Sequence, residues 1–215
     1  MNEQDIQNLR QDYSAATLSE KEISPNPIKQ FDKWFNEALA ANVPEPNAMT
    51  LATATHDGRP SARIVLLKGV SQEGFTFYTN YLSRKGKEMA KNPLASAVFF
   101  WGPVERQVRI EGTIEKLSRE QSDAYFHSRP KGSQLGAVVS PQSQEIADRK
   151  ILDDKMQQLE AEYADKEIPK PSYWGGYIIK PRLIEFWQGR SSRLHDRIVY
   201  KKIDNKNWKI VRLAP

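Results

Sequence analysis

The chain has 215 residues, 39% of them hydrophobic and 27% charged, and its 32 Lys+Arg against 27 Asp+Glu leave a net charge of +5. One domain with a substantial core is expected, because a chain of this size buries roughly 70% of the surface its unfolded form exposes. The absence of cysteine excludes disulfides, zinc-thiolate sites and Cys nucleophiles. No apolar run approaches the ~20 residues of a membrane span, and the polar start "MNEQDIQNLRQDY" has no apolar signal core, so the cytoplasm is the expected compartment.

Residues 1–24 read as a polar arm with one short helix around Ile6 and Leu9. "NPIKQFDKWFNEALA" predicts a helix capped by Asn26 with Pro27 at its first position. Phe31, Trp34, Phe35, Ala38 and Leu39 form its apolar stripe, which core packing explains. Strands follow. "AMTLATAT" and "SARIVLLKGV" flank "HDGRP", whose Asp57-Gly58 signals a hairpin. The Ile-Val-Leu-Leu run between Arg63 and Lys68 predicts a central strand buried on both faces.

"GFTFYTN" continues the strand pattern, and "SRKGKEMAKN" is a short basic helix or loop. "LASAVFFWG" and "ERQVRIEGTIEKL" predict a hairpin through Gly102-Pro103, Val108 and Ile110 alternating with Arg109 and Glu111 on a strand with one wet face. Helices are expected at 118–128 and about 143–164, then strands at "WGGYIIKP", "LIEFWQG", "RLHDRIVYK" and "WKIVRLA". Many short strands at hairpin spacing, with few βαβ signals, predict an antiparallel barrel decorated by helices.

No G-x-G-x-x-G, P-loop or G-x-S-x-G elbow occurs, and His56, His127 and His195 share no metal-ligand spacing, so no metal site is expected. What remains is a set of cationic clusters. Arg63 and Lys68 flank an apolar run and serve equally as its solvated ends; Ser83, Arg84 and Lys85 suit an oxyanion or a plain helix start. Tyr125 and Arg129 share a helix face by their i, i+4 spacing, with Ser133 just past Pro130. His127 lies off that face and reads as structural, and Gln142 and Ser143 are loop chemistry. In "EFWQGRSSRLHDR", an extended "RLHDR" would point Arg193, His195 and Arg197 to one side, which is costly without an anion. A solvated charged surface, a nucleic-acid surface and a pocket for a phosphorylated aromatic ligand all remain open on these residues alone.

Together the clusters resemble the pyridoxine/pyridoxamine 5′-phosphate oxidases, a family of FMN-dependent enzymes. The signature is Glu185-Phe186-Trp187-Gln188 followed by Arg193-Leu194-His195-Asp196-Arg197. "RIVLLK", "FYTN", "SRK", "ERQVRI", "YFHSRP", "GSQLGA" and "SYWGG" match in order upstream, so the resemblance runs from about Arg10 to Pro215; Gln11-Asp12 and Arg190-Ser191-Ser192 stand outside it. It implies a dimeric, mainly β, antiparallel split barrel with two FMN sites at the subunit interface, an arm or lid at 1–24 and one domain at 25–215 that includes the dimerisation region.

It further implies that Arg63, Ile64, Val65, Leu66, Leu67, Lys68, Tyr78, Thr79, Arg84 and Lys85 hold FMN. Gln107, Gln142, Ser143, Trp187 and Arg197 would complete the site, several from the partner chain. Lys68, Tyr125, Arg129 and Ser133 would grip the substrate phosphate, Arg193 and His195 would face the pyridine ring, and Arg10 with Tyr13 would close over it. Arg193, His195 and Arg197 are the implied catalytic set. The implied reaction oxidises pyridoxine or pyridoxamine 5′-phosphate to pyridoxal 5′-phosphate, by hydride transfer from C4′ to FMN N5 and reoxidation by dioxygen to give hydrogen peroxide. A split-barrel flavoenzyme acting on another ring, and a non-enzymatic RNA or DNA binder, are the competing expectations.

Overall fold

The structure, a computed structural model, describes residues 2–9 and 11–215. Helix α1 (Glu3–Gln7) opens on an Asn2–Asp5 capping box and is followed by α2 (Pro27–Ala40). The Asn26 side chain accepts from the backbone N–H groups of Ile28 at 2.8 Å and Lys29 at 3.2 Å, satisfying donors that a helix start leaves without partners. Phe31, Trp34 and Ala38 are buried, whereas Leu39 is 50% exposed. At 100° per residue Leu39 sits about 80° from Phe31, at the margin of the stripe.

Among the described residues nine strands form one sheet: β1 (Ala48–Ala54), β2 (Pro60–Leu66), β3 (Gly69–Ser71), β4 (Gly74–Asn80), β5 (Leu94–Trp101), β6 (Arg106–Lys116), β7 (Trp174–Gln188), β8 (Asp196–Lys202) and β9 (Trp208–Leu213). Their order is β2-β1-β5-β6-β7-β4-β3, with β8 on β7 and β9 on β8. Helices α3 (Arg84–Lys91), α4 (Arg119–Ser128), α5 (Lys131–Val139) and α6 (Lys150–Glu162) complete the chain.

Two compact units emerge: residues 1–50, 96–111 and 181–215, and residues 51–95 and 112–180. In the first, aromatic edges fill the core: Phe31 on Phe99 at 5.2 Å, Trp34 on Phe186 at 5.2 Å, and Phe186 on Tyr200 at 5.5 Å. Antiparallel pairing of β7 with β8 sets Trp187 opposite Arg197. In the second unit β4 pairs with the start of β7, Phe77 opposite Tyr177, and Phe126, Leu135, Ile168 and Trp174 form a core cluster.

Four expectations need correction. The strand expected to be central and buried on both faces is β2, at one end of the strand order; Ser61, Arg63 and Val65 are half-buried while Ile64 is 63% exposed. An apolar run states that burial is favoured, not that the same chain supplies the cover. That strand also stops at Leu66, and β3 is separate. "WGGYIIKP" and "LIEFWQG" are one strand, β7, because Pro181 falls between the stretch laddered to β4 and the stretch laddered to β8. Neither ladder needs its missing N–H there. Finally, α6 begins at Lys150 rather than near 143, and α5 occupies 131–139 directly after Pro130. With its φ of −52°, Pro130 suits a helix start as readily as a break.

Candidate active site

A cavity of about 480 Å³ opens in the second unit. Its wall takes Ile64, Val65 and Leu66 from β2, Lys68 beyond it, Tyr78 and Thr79 from β4, and Lys85 from α3. Tyr125 of α4, Arg129, Ser133 of α5, Gln142 and Trp174 close the other side. Tyr78 stacks on Tyr125 with ring centroids 3.8 Å apart and on Trp174 at 5.6 Å. The glycines of "WGG" permit this approach. A Cβ on Gly176 would come within 2.8 Å of the Tyr78 ring, and one on Gly175 would fall on the Tyr81 hydroxyl.

The cations of this cavity are short of anions. Arg129 is the C-cap of α4, its Cζ 4.6 Å from the Trp174 ring centre, and its buried Nη1 has no hydrogen-bond partner. Burial pushes the Arg129 pKa down, as expected of a charge taken from water without a counter-ion. Ser83 caps α3 by accepting from the Gly86 N–H at 3.3 Å, which places Arg84 and Lys85 in a first turn that holds no acid. Cations there oppose the helix dipole unless an anion joins them. Lys85 Nζ donates to Gln142 Oε1 at 2.9 Å and Thr79 Oγ1 at 3.3 Å, and burial followed by the Arg63 charge lowers its pKa.

Arg63 and Arg84 are not on that wall; Glu88 holds both. Arg84 Nε donates to Glu88 Oε1 at 2.9 Å, and Arg63 Nη2 lies 3.5 Å from Oε2. Arg63 also donates to Leu51 O at 3.1 Å, Thr53 Oγ1 at 2.6 Å and Ser61 Oγ at 2.5 Å. Ser143, with a left-handed φ of 69°, shares a separate recess with Arg84 and Glu88. Leu67 is buried and lines neither.

In the first unit a recess of about 610 Å³ is lined by Tyr13, Arg190, Ser192, Arg193 and His195 among others. His195 Nδ1 accepts from the Arg190 backbone N–H at 3.1 Å, so the neutral ring carries its proton on Nε2. The His195 ring lies 4.6 Å from Trp187 and 5.9 Å from Tyr13, which meets Trp187 edge-on at 5.8 Å. Arg197 is clamped to Glu185, and Gln107 is half-buried on β6.

The expected Arg193, His195, Arg197 row does not exist. Arg193 ends a 3-10 turn with φ of 60°, and β8 begins only at Asp196. Asp196 explains the break: it receives Arg190, Arg212 and the Leu18 N–H, which hold the turn and the arm out of an extended path. Arg10 lies outside the described residues. The carboxylates Glu88 and Glu185 received no role from sequence, although the Arg84–Glu88 spacing of i, i+4 was a readable signal; Asp196 was legible as an arginine partner, and Arg190 and Arg212 donate to it.

An antiparallel sheet carrying stacked aromatic rings beside a guanidinium whose buried Nη1 lacks a partner has the make-up of a protein that binds a flat anionic ligand. Residues 35–163 match the pyridoxamine 5′-phosphate oxidase family, and residues 174–215 match the pyridoxine 5′-phosphate oxidase C-terminal dimerisation region. The chain is 57% identical over 210 residues to a pyridoxine/pyridoxamine 5′-phosphate oxidase of Nostoc sp. strain PCC 7120, covering 98% of each. It is 55% identical over 212 residues to the protein of that name from Salinibacter ruber, covering 98% of this chain and 99% of the other.

Among solved structures, PhzG from Burkholderia lata 383 in complex with tetrahydrophenazine-1-carboxylic acid superposes with a TM-score of 0.87. It is 32% identical, and the match covers 93% of this chain and 98% of that one. An FMN-binding, pyridoxamine 5′-phosphate oxidase-related protein from Nostoc punctiforme shares the fold at 16% identity, 93% and 100% coverage and a TM-score of 0.68. The chain belongs to the pyridoxamine 5′-phosphate oxidase family, with its antiparallel split-barrel fold and its cofactor, FMN.

Proposed function

We propose that the chain oxidises pyridoxine 5′-phosphate or pyridoxamine 5′-phosphate to pyridoxal 5′-phosphate. The observation that carries this is the buried, unpartnered Nη1 of Arg129 in a cavity shared with Tyr125, Ser133 and Lys68. A phosphate ester of about −1.5 to −2 charge is the partner that such a group lacks. Lys68 and Arg129 bring charge to it, Tyr125 and Ser133 bring hydroxyl donors, and each charge-assisted hydrogen bond contributes about 1.5–3 kcal/mol.

The same cavity fits FMN, since Lys85 and the Thr79 hydroxyl stand beside Tyr78 with no carboxylate on its wall. Arg63, Ile64, Val65, Leu66, Leu67, Lys68, Tyr78, Thr79, Arg84, Lys85, Gln142 and Ser143 hold the cofactor in this reading, with Gln107, Trp187 and Arg197 joining from the partner subunit. Bound FMN would supply the hydride acceptor for C4′ and the route of the electrons to dioxygen, giving hydrogen peroxide. The chain's own work is to align and to fix charge. Arg193 orients the substrate ring, Arg197 presents a fixed positive charge, and His195 offers Nε2–H as an anchoring donor because Nδ1 is engaged.

The segment 1–24 acts as a lid on the domain formed by 25–215, with Arg10 and Tyr13 as the residues that close over the substrate. Packing of Tyr13 on Trp187 and His195 supports that role. The working form is a homodimer, supported by the match to the dimerisation region. Its partners are small molecules rather than nucleic acid or membrane, and its place is the cytoplasm; no described helix is long and apolar enough to cross a membrane. Purified protein should be yellow and should consume oxygen with pyridoxine 5′-phosphate while forming the aldehyde. A colourless protein that FMN does not reconstitute refutes the proposal.

A further inference from the structure

Glu88 is a buried carboxylate, 5% exposed, that the reaction does not touch. Its two oxygens are divided between two cations. Oε1 receives Arg84 Nε at 2.9 Å; Oε2 receives the Thr53 hydroxyl at 2.5 Å and the Ser61 hydroxyl at 2.7 Å and faces Arg63 Nη2 at 3.5 Å. Thr53 and Ser61 in turn accept from Arg63, so each hydroxyl donates a hydrogen bond to Glu88 and accepts one from the guanidinium. Two strands and one helix are thereby tied together: Thr53 on β1, Ser61 and Arg63 on β2, Arg84 and Glu88 on α3.

We infer that Glu88 is the positioning residue for the phosphate-binding arginines of the FMN site, fixing Arg63 and Arg84 through its two separate oxygens. The inference rests on the proposed function, in which both arginines hold FMN. Arg84 is 62% exposed, so without an anchor it spreads over many rotamers, and ordering it again would be charged against cofactor binding. Arg63 has the opposite problem: burial lowers its pKa, and Glu88 is the first charge opposing that. An amide cannot replace the carboxylate. With its oxygen toward Thr53 and Ser61, a Gln side chain points N–H groups at Arg84; turned round, it leaves the two hydroxyl protons without an acceptor and disturbs Arg63. Either orientation frees one arginine.

The carboxylate also neutralises part of the cationic charge, which by itself weakens anion binding. Position outweighs charge here, because Glu88 is held by two hydroxyls and cannot swing toward a ligand, whereas a guanidinium that is already aimed forms its hydrogen bonds without reordering.

The test compares FMN with riboflavin, which lacks the phosphate, by fluorescence quenching on apoprotein of wild type and Glu88→Gln. Selective loss is expected: FMN affinity falls by about tenfold or more while riboflavin affinity changes by less than about twofold. Glu88→Asp keeps the charge but withdraws it by one methylene, so it should show the same selective loss, and it serves if the Gln variant does not fold. A parallel loss for both flavins means that Glu88 merely supports the fold, and unchanged FMN affinity means that the arginines need no anchor; either result overturns the inference. If wild type itself shows no preference for FMN over riboflavin, the proposed function falls first and this inference with it.

Discussion

Arg197 grips Glu185 at two points, Nε to Oε1 at 2.8 Å and Nη2 to Oε2 at 3.1 Å, across the β7–β8 ladder. A second guanidinium, Arg109, reaches the same Oε2 at 2.7 Å, and Arg197 Nη1 donates to the Ala214 carbonyl at 3.0 Å. Burial pushes the Glu185 carboxyl up, but the bonds from Arg197 and the charges of both arginines bring it below its ordinary value. Arg197 therefore has a fixed orientation before any ligand arrives.

Glu185→Gln should cost about 2 kcal/mol of stability, less than the ~3–5 kcal/mol of a fully buried broken pair because both arginines reach solvent. Denaturant unfolding of the FMN-free protein measures it. A cost under about 0.5 kcal/mol would mark the pair as an ordinary surface contact.

Arg129→Ala should raise KM for pyridoxine 5′-phosphate by roughly 10- to 100-fold, the worth of a charge-assisted hydrogen bond, and leave KM for unphosphorylated pyridoxine within a few-fold. The carrying observation is the unpartnered Nη1. Steady-state oxygen uptake with both substrates reads the ratio; equal effects contradict a phosphate contact.

Arg193→Ala should lower kcat/KM by about 100-fold through lost orientation, while the bound flavin, read by absorbance, stays stoichiometric. Arg193 lines the first-unit recess and is not on the wall of the second-unit cavity. Unchanged turnover removes its role, and loss of flavin together with turnover would reassign it to the cofactor.

Acid should erase the contribution of Glu88. Burial pushes this carboxyl up, but bonds from Thr53, Ser61 and Arg84 overcome it and bring it from 4.5 to about 2. A depressed carboxylate stabilises the fold above its unfolded value and loses that contribution as pH falls through its folded one. The stability gap between wild type and Glu88→Gln should thus be full at pH 7, shrink below about 4.5 and close near pH 2. A gap independent of pH would show that shape, not charge, sets it.

Much of this was legible in the sequence, and the exceptions share a cause. The α2 cap at Asn26, the turn at Gly58 with its φ of +87°, and the alternation along β6 follow from local chemistry, which the sequence displays directly. The exposure of Ile64, the continuity of β7 through Pro181 and the turn at Arg193 depend on which neighbour each segment meets, and pattern alone does not name the neighbour. In the site, the cations could be found by their types and motif spacing, but of their carboxylate anchors only Glu88 left a signal, its i, i+4 spacing from Arg84. Glu185 reads as an ordinary acid until the strands bring it to Arg197, and only the fold brings Glu88 to Arg63.

The central claim is that these basic side chains hold a flavin and a phosphorylated vitamin ring for direct oxidation. Anaerobic titration of the FMN-loaded protein with pyridoxine 5′-phosphate tests it most directly. The flavin absorption should bleach with one aldehyde formed per flavin, and the colour should recover on admitting air. Flavin absorption that persists through excess substrate would contradict it.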